Sequence, residues 1–281
     1  MKTILVPFDF SDCSKNALSY AAQIGKKLQI GITLLHAYSK SSLSEYPNGD
    51  RNKASEKLHL KELEERLENF CRQVNENCAC EAINVEGAVK KVLLDKAEKL
   101  KPELMVIGTE DIHPTDKIIF GTIAGNVVKD ANCTVLVIPQ KTPVRLPERI
   151  AFAVDYHDSD VHDIRFLKRI AQQFGADIHI IHVLADDNVE FETGLFEDFK
   201  RKLHRSFPDC EFTFGFLRGE DVATELENYK KREKIDMIAV AKTKKSLLDR
   251  WIVGSISQQL FRHADVPLLV FSAKDKFEEL F

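Results

Sequence analysis

Four short apolar runs occur twice in this chain, in the same order, and that repetition limits the fold more than any other feature. Ile4-Leu5-Val6-Pro7-Phe8-Asp9 matches Ile150-Ala151-Phe152-Ala153-Val154-Asp155. Ile32-Thr33-Leu34-Leu35-His36-Ala37 matches Ile178-His179-Ile180-Ile181-His182-Val183. Glu103 to Gly108 matches Asp236 to Ala241, and Thr134 to Ile138 matches Pro267 to Phe271. Short apolar runs with polar tips read as buried parallel strands, and a fixed order of matched strands reads as a duplicated domain. Glu81 to Val85 and Glu211 to Phe216 add one further strand to each half.

Between the strands the apolar period becomes helical. Ala17, Ala21, Ile24 and Leu28 form one stripe, and Ile164, Leu167, Ala171 and Phe174 its counterpart. Leu60, Leu63, Leu67, Phe70 and Val74 form another on a long charged helix expected over Lys53–Asn77. One-sided stripes of this kind pack on a sheet. Each half therefore reads as βαβαβαβαβ. The predicted fold class is α/β: two tandem, doubly wound, Rossmann-like domains, each with a five-stranded parallel sheet covered on both faces. The expected boundaries are 1–140 and 148–273, with a proline-bearing linker at 141–147 and a tail at 274–281. Residues 39–53 and 185–188 read as surface loops.

The 281 residues suffice for two buried cores. A net charge of −4 lacks the basic footprint of a general nucleic-acid binder. No apolar run approaches the ~20 residues that cross a bilayer, and Asp9 and Asp12 break up the N-terminal run, so a cytoplasmic protein is expected. In that compartment the six cysteines should be reduced thiols. Cys71, Cys78 and Cys80 lie close together, but no Cys-x-x-Cys pair or His-rich segment accompanies them, so buried or edge thiols are expected rather than a metal site.

Ligands of open parallel sheets bind beyond the C-terminal strand ends, where the strand order reverses. In the first half this gathers Pro7-Phe8-Asp9-Phe10-Ser11, His36-Ala37-Tyr38 and Gly108-Thr109-Glu110-Asp111, running on to Gly121-Thr122. Glycine followed by a helix N-terminus suits an anion, although Thr122 at that place is equally a plain helix cap. His36 and His182 sit at matched strand ends, where a packing role is expected. No Gly-x-Ser-x-Gly, His-Glu-x-x-His or Walker pattern occurs, so no enzyme constellation is expected.

The spacing Gly108-Thr109-Glu110-Asp111, nine residues, Gly121-Thr122 resembles the Gly-x-x-Gly, nine residues, Gly-Ser/Thr motif of ATP-binding universal stress proteins. Ala241-Lys242-Thr243-Lys244, nine residues, Gly254-Ser255 repeats it, and both halves close on a similar last helix and strand. The resemblance covers nearly the whole chain. It implies a cytoplasmic stress-response regulatory or binding protein, with adenine nucleotide (ATP with Mg²⁺) held weakly in the first half. Pro7, Asp9 and Ala37 would lie toward the adenine and ribose, and Gly108, Thr109, Gly121, Thr122 and Ile123 toward the phosphates. Asp155, Val183, Gly254 and Ser255 are the second-half counterparts. It also implies pairing of the two domains through their last strands, homodimers, and no membrane or nucleic-acid partner. Two alternatives stay open: a protein-interaction module that binds no nucleotide, and an ATP binder with slow ATPase activity.

The sequence departs from the motif. Asp111 replaces its second glycine; a carboxylate about 4 Å from a phosphate would cost about 4 kcal/mol in a partly shielded site, or about 10²–10³ in affinity. Ala241 and Lys244 replace both loop glycines of the second half, in a loop made basic by Lys242, Lys244, Lys245 and Arg250.

Overall fold

The computed structural model describes residues 2–39, 53–75, 78–110, 122–156, 158–184, 189–219, 222–241 and 265–272. These form two compact units, one running up to Arg145 and the other beginning at Leu146.

The first unit runs β1 (Thr3–Pro7), α1 (Asp12–Leu28), β2 (Gly31–Tyr38), α2 (Lys53–Asn75), β3 (Cys80–Glu86), α3 (Val89–Leu100), β4 (Leu104–Thr109), α4 (Thr122–Asp130) and β5 (Val135–Pro139). Its strands pair in parallel in the order β3-β2-β1-β4-β5. The second unit runs β6 (Arg149–Ala153), α5 (Asp158–Phe174), β7 (Asp177–Leu184), α6 (Val189–Ser206), β8 (Phe212–Arg218), α7 (Val222–Glu233), β9 (Met237–Ala241) and β10 (Leu268–Phe271). Its order is β8-β7-β6-β9-β10, again parallel. Position for position the two topologies are the same, and all ten expected strands are present. The basic loop and the Gly254-Ser255 pair lie outside the described residues, as do residues 40–52, 185–188 and 273–281.

Burial explains the apolar runs. Ile4, Leu5 and Val6 of β1 are fully enclosed, as are Ile150 and Phe152 of β6. A strand covered by helices on both faces must be apolar at every position, not at alternate ones. The edge strands β3 and β8 are only partly buried, and polar residues return there. Helix α1 turns Ala17, Ala21 and Ile24 to the sheet, and α2 turns Leu63, Leu67 and Val74.

Helix ends use left-handed residues other than glycine. Gln29 (φ 56°), Lys101 (φ 43°) and Lys234 (φ 53°) each stop a helix, and the amides of Gln29 and Lys101 close back on Gly25 and Ala97. Such positions are usually glycine because no Cβ clashes there. Long flexible side chains pointing to water fill them here.

The stretch following β5 is fastened down. Asn16 Nδ2 donates to the carbonyls of Pro139 (3.3 Å) and Thr142 (3.0 Å), and Gln23 Nε2 donates to Val144 (2.8 Å). Residues expected to belong to a linker therefore run along α1, and Thr142 is buried. Losing a hydrogen bond of this kind costs about 1 kcal/mol, which locally frees the segment. Asn16→Ala should accelerate tryptic cleavage after Lys141 and Arg145 several-fold without changing far-UV circular dichroism; an unchanged cleavage rate would show that other contacts hold the segment.

Candidate functional site

At the C-terminal ends of β1, β2 and β4 the strand order gathers Pro7, Asp9, Ala37, Gly108 and Thr109. Gly121 lies outside the described residues, as does Asp111. Thr122 opens α4, its side chain also outside them, and Ile123 is exposed in the first turn.

Just beyond β1 the backbone is tied to β2. The Phe8 amide donates to Leu35 O (2.9 Å), and His36 Nδ1 lies 2.7 Å from Phe8 O. A carbonyl only accepts, so Nδ1 carries a proton. The chain then turns through Phe10 at φ 68°, a conformation unusual for an aromatic residue and costing about 1–3 kcal/mol. Packing offsets that strain: the Phe10 ring lies 5.0 Å from the His36 ring and 6.1 Å from Phe70 of α2. Phe8 packs on Phe70 at 4.8 Å, and the Arg66 guanidinium sits 4.4 Å above Phe10. The sequence pattern did not reveal this aromatic cluster, although the left-handed position directly after Asp9 recurs in the second half.

Asp9 is exposed and organises the start of α1. Its carboxylate accepts from the Ser11 amide (3.0 Å) and from the Ser11 hydroxyl. Ser11 is the N-cap, accepting from the Ser14 amide, and its hydroxyl lies 3.0 Å from the Cys13 thiol. Partial burial alone would raise the Asp9 carboxyl above its ordinary value, but the bonds from Ser11, with a smaller one from Ser14, outweigh it and hold Asp9 below 3.8. Burial and the nearby Asp9 and Glu110 charges push the Cys13 thiol up, despite the Ser11 bond.

Gly108 has a packing requirement of its own. A Cβ there would lie 2.3 Å from the Cys13 carbonyl oxygen and 3.0 Å from the Ser14 nitrogen. The first turn of α1 thus rests directly on β4, a helix–strand approach that only glycine allows. Thr109, one residue on, points to the opposite face. Its Oγ1 is buried without a hydrogen-bond partner among the described residues. The same holds for Asn84 Oδ1 on β3, at the register position opposite His36. A buried polar atom left unmatched costs about 1–3 kcal/mol, and the Tyr156 hydroxyl, beyond β6 of the second unit, is in the same condition.

With this geometry in view, comparison with known proteins is decisive. The model of the universal stress protein family matches residues 1–139 and again 147–272. The chain belongs to the universal stress protein family. A universal stress protein of Methanocaldococcus jannaschii is 28% identical over 138 residues, covering 49% of this chain and 81% of that protein. The crystal structure of a universal stress protein from Archaeoglobus fulgidus superposes with a TM-score of 0.76 at 18% identity, over 96% of this chain and 98% of that one.

The second universal stress protein unit repeats the frame and fills it differently. Val154 N donates to Ile181 O, and His182 Nδ1 lies 2.9 Å from Val154 O. Tyr156, at φ 60°, occupies the position of Phe10 and stacks on His182 at 4.2 Å. Phe216 takes the place of Asn84 opposite the histidine, its ring 5.9 Å from the imidazole and nearly parallel to it. Phe196 and Phe199 of α6 enclose Tyr156 at 6.0 and 5.7 Å. Glu192 Oε2 lies 3.5 Å from His182 Nε2. Burial, with the Glu192 and Asp155 charges, pushes the Tyr156 hydroxyl far up, so it stays protonated. Asp155 is the counterpart of Asp9, and the sequence has His157 where the first unit has Ser11; the Asp155 amide donates to the buried Asp160 carboxylate (3.2 Å).

The cysteines correct one expectation. Cys71 on α2 and Cys80 on β3 form a disulfide, their Cα atoms 5.1 Å apart, rather than remaining reduced thiols. Packing of the last turns of α2 over the start of β3 brings together two residues whose spacing matches no standard motif. Among the described residues no cluster of three or more His, Cys, Asp or Glu is suited to a metal, and no helix is long and apolar enough to cross a membrane.

Two outcomes follow. Gly108→Ala should cost about 1–3 kcal/mol as backbone overpacking, lowering the melting temperature by several degrees; an unchanged melting temperature would refute the close approach. For Asp9 the ionised form is favoured on folding, so its contribution is full above the ordinary carboxyl value and lost as pH falls through the lowered one. The stability gap between wild type and Asp9→Asn, read from urea midpoints, should therefore shrink as pH drops from about 6 to about 2.

Proposed function

We propose that this chain is a non-catalytic stress-response binding protein whose first unit takes adenine nucleotide weakly at the ends of β1, β2 and β4. The observation supporting this is the contrast at matched positions. Opposite the histidine the first unit places Asn84, its oxygen buried and unmatched as is the Thr109 hydroxyl, whereas the second places Phe216 there and stacks Tyr156, whose own hydroxyl is buried and unmatched, on His182. An amide beside the histidine favours a polar ligand, and the Phe216 ring fills that place with apolar surface. Asp9 is exposed beside the same strand ends and offers a carboxylate to a ribose or an adenine amine. Any Mg²⁺ would arrive with the nucleotide as its counter-ion.

Slow hydrolysis is a weaker reading. The Ser11 hydroxyl is committed to Asp9 and to the Ser14 amide, and His36 Nδ1 is committed to Phe8 O, so neither is set as a nucleophile–base pair. A protein-interaction role suits the second unit, whose strand ends are occupied by its own side chains.

Calorimetry with ATP and Mg²⁺ tests the reading. Binding is expected, and Thr109→Val should weaken it about fivefold or more while leaving thermal stability equal or higher, since one hydrogen bond is worth about 1 kcal/mol. Absence of heat at millimolar nucleotide would reject nucleotide binding and leave the interaction module.

A further inference from the structure

We propose that Cys71 and Cys80 form a thiol–disulfide exchange site, with small thiols and disulfides as reactants, whose state sets how firmly α2 covers the strand ends of the first unit. Two features of the fold carry this. The first is position: Cys71 follows directly on Phe70, whose ring packs on Phe8 and Phe10. Arg66, one turn earlier, lies over Phe10. The bond to Cys80 thus pins to β3 the stretch of α2 that lies over Phe8 and Phe10. Without it the same stretch is held by packing of Leu63, Leu67, Cys71 and Val74.

The second feature is access. Cys71 is 4% exposed, whereas Cys80, on the edge strand, is partly open. An incoming thiolate reaches the Cys80 sulfur and forms a mixed disulfide there. The Cys71–Cys80 bond breaks, and Cys71 departs as a thiolate that takes a proton. A second small thiol then attacks the mixed disulfide and frees Cys80. In sum, two small thiols become one small disulfide and the protein disulfide becomes two thiols; the reverse reaction restores the bond. The remaining thiols compete poorly. Cys13 and Cys133 are buried, and burial pushes the Cys78 and Cys210 thiols up, away from the reactive thiolate.

The pinning of α2 does not depend on which ligand occupies the crevice, so its test needs none. The full chain is equilibrated in glutathione buffers of stepped thiol-to-disulfide ratio, then alkylated under denaturing conditions, weighed, and followed in parallel by hydrogen exchange. Reduction should add about 2 Da before alkylation and two alkylated thiols after it. The gain should persist in Cys78→Ser and vanish in Cys71→Ser and Cys80→Ser. Amide exchange over residues 66–74 should rise about tenfold in the reduced wild type, as expected when a local opening becomes easier. The comparison within wild type stands even if a variant folds poorly. A thiol count that ignores the buffer, a gain abolished by Cys78→Ser, or equal exchange in both states would overturn the proposal.

Discussion

An imidazole on the second strand of each unit holds the carbonyl that follows the first. His36 grips Phe8 O and His182 grips Val154 O. This tie fixes where the chain leaves the sheet, and everything at the strand ends depends on it. The left-handed residue comes two positions after the bonded carbonyl, its ring lies on the histidine, and the next helix begins at once. The shape of both crevices follows from a bond that needs only a strand pair in register and a histidine two residues before the strand ends.

On this shared frame the two units have diverged in what surrounds the histidine. In the first, an asparagine stands opposite it and a serine caps the helix under an aspartate's control. In the second, a phenylalanine stands opposite, and a tyrosine stacks on the histidine. The difference is one of solvation. An asparagine brings amide donors and an acceptor to that place, whereas a phenylalanine offers only its ring. Duplication thus preserved the scaffold while separating the two ends chemically.

Much of the fold was legible because burial on both faces forces continuous apolar runs, and two copies of each run confirm one another. Matched strands revealed the duplication, and Asp9 and Gly108 stood out as strand-tip residues. Other features were less visible. Gly108 reads as a phosphate contact in the motif, yet the backbone of Cys13 alone already demands it. The helix stops at Gln29, Lys101 and Lys234 carry no glycine signal. The rings of Phe10 and Tyr156 look like ordinary apolar residues until their backbone angles are known. Cys71 and Cys80 are nine residues apart across a helix end, and only the packing of α2 on β3 makes them neighbours.

The histidine tie has a consequence for life in acid. The accepting carbonyl asks only that Nδ1 bear hydrogen, and both the neutral ring with that tautomer and the imidazolium meet the demand. Gaining a second proton on Nε2 leaves the bond's donor untouched. Protonation therefore changes what the outer edge of the ring offers its neighbours, Glu192 in the second unit, while the turn itself keeps its shape. These histidines anchor geometry through a ring N–H, a donor that does not depend on the ring's charge.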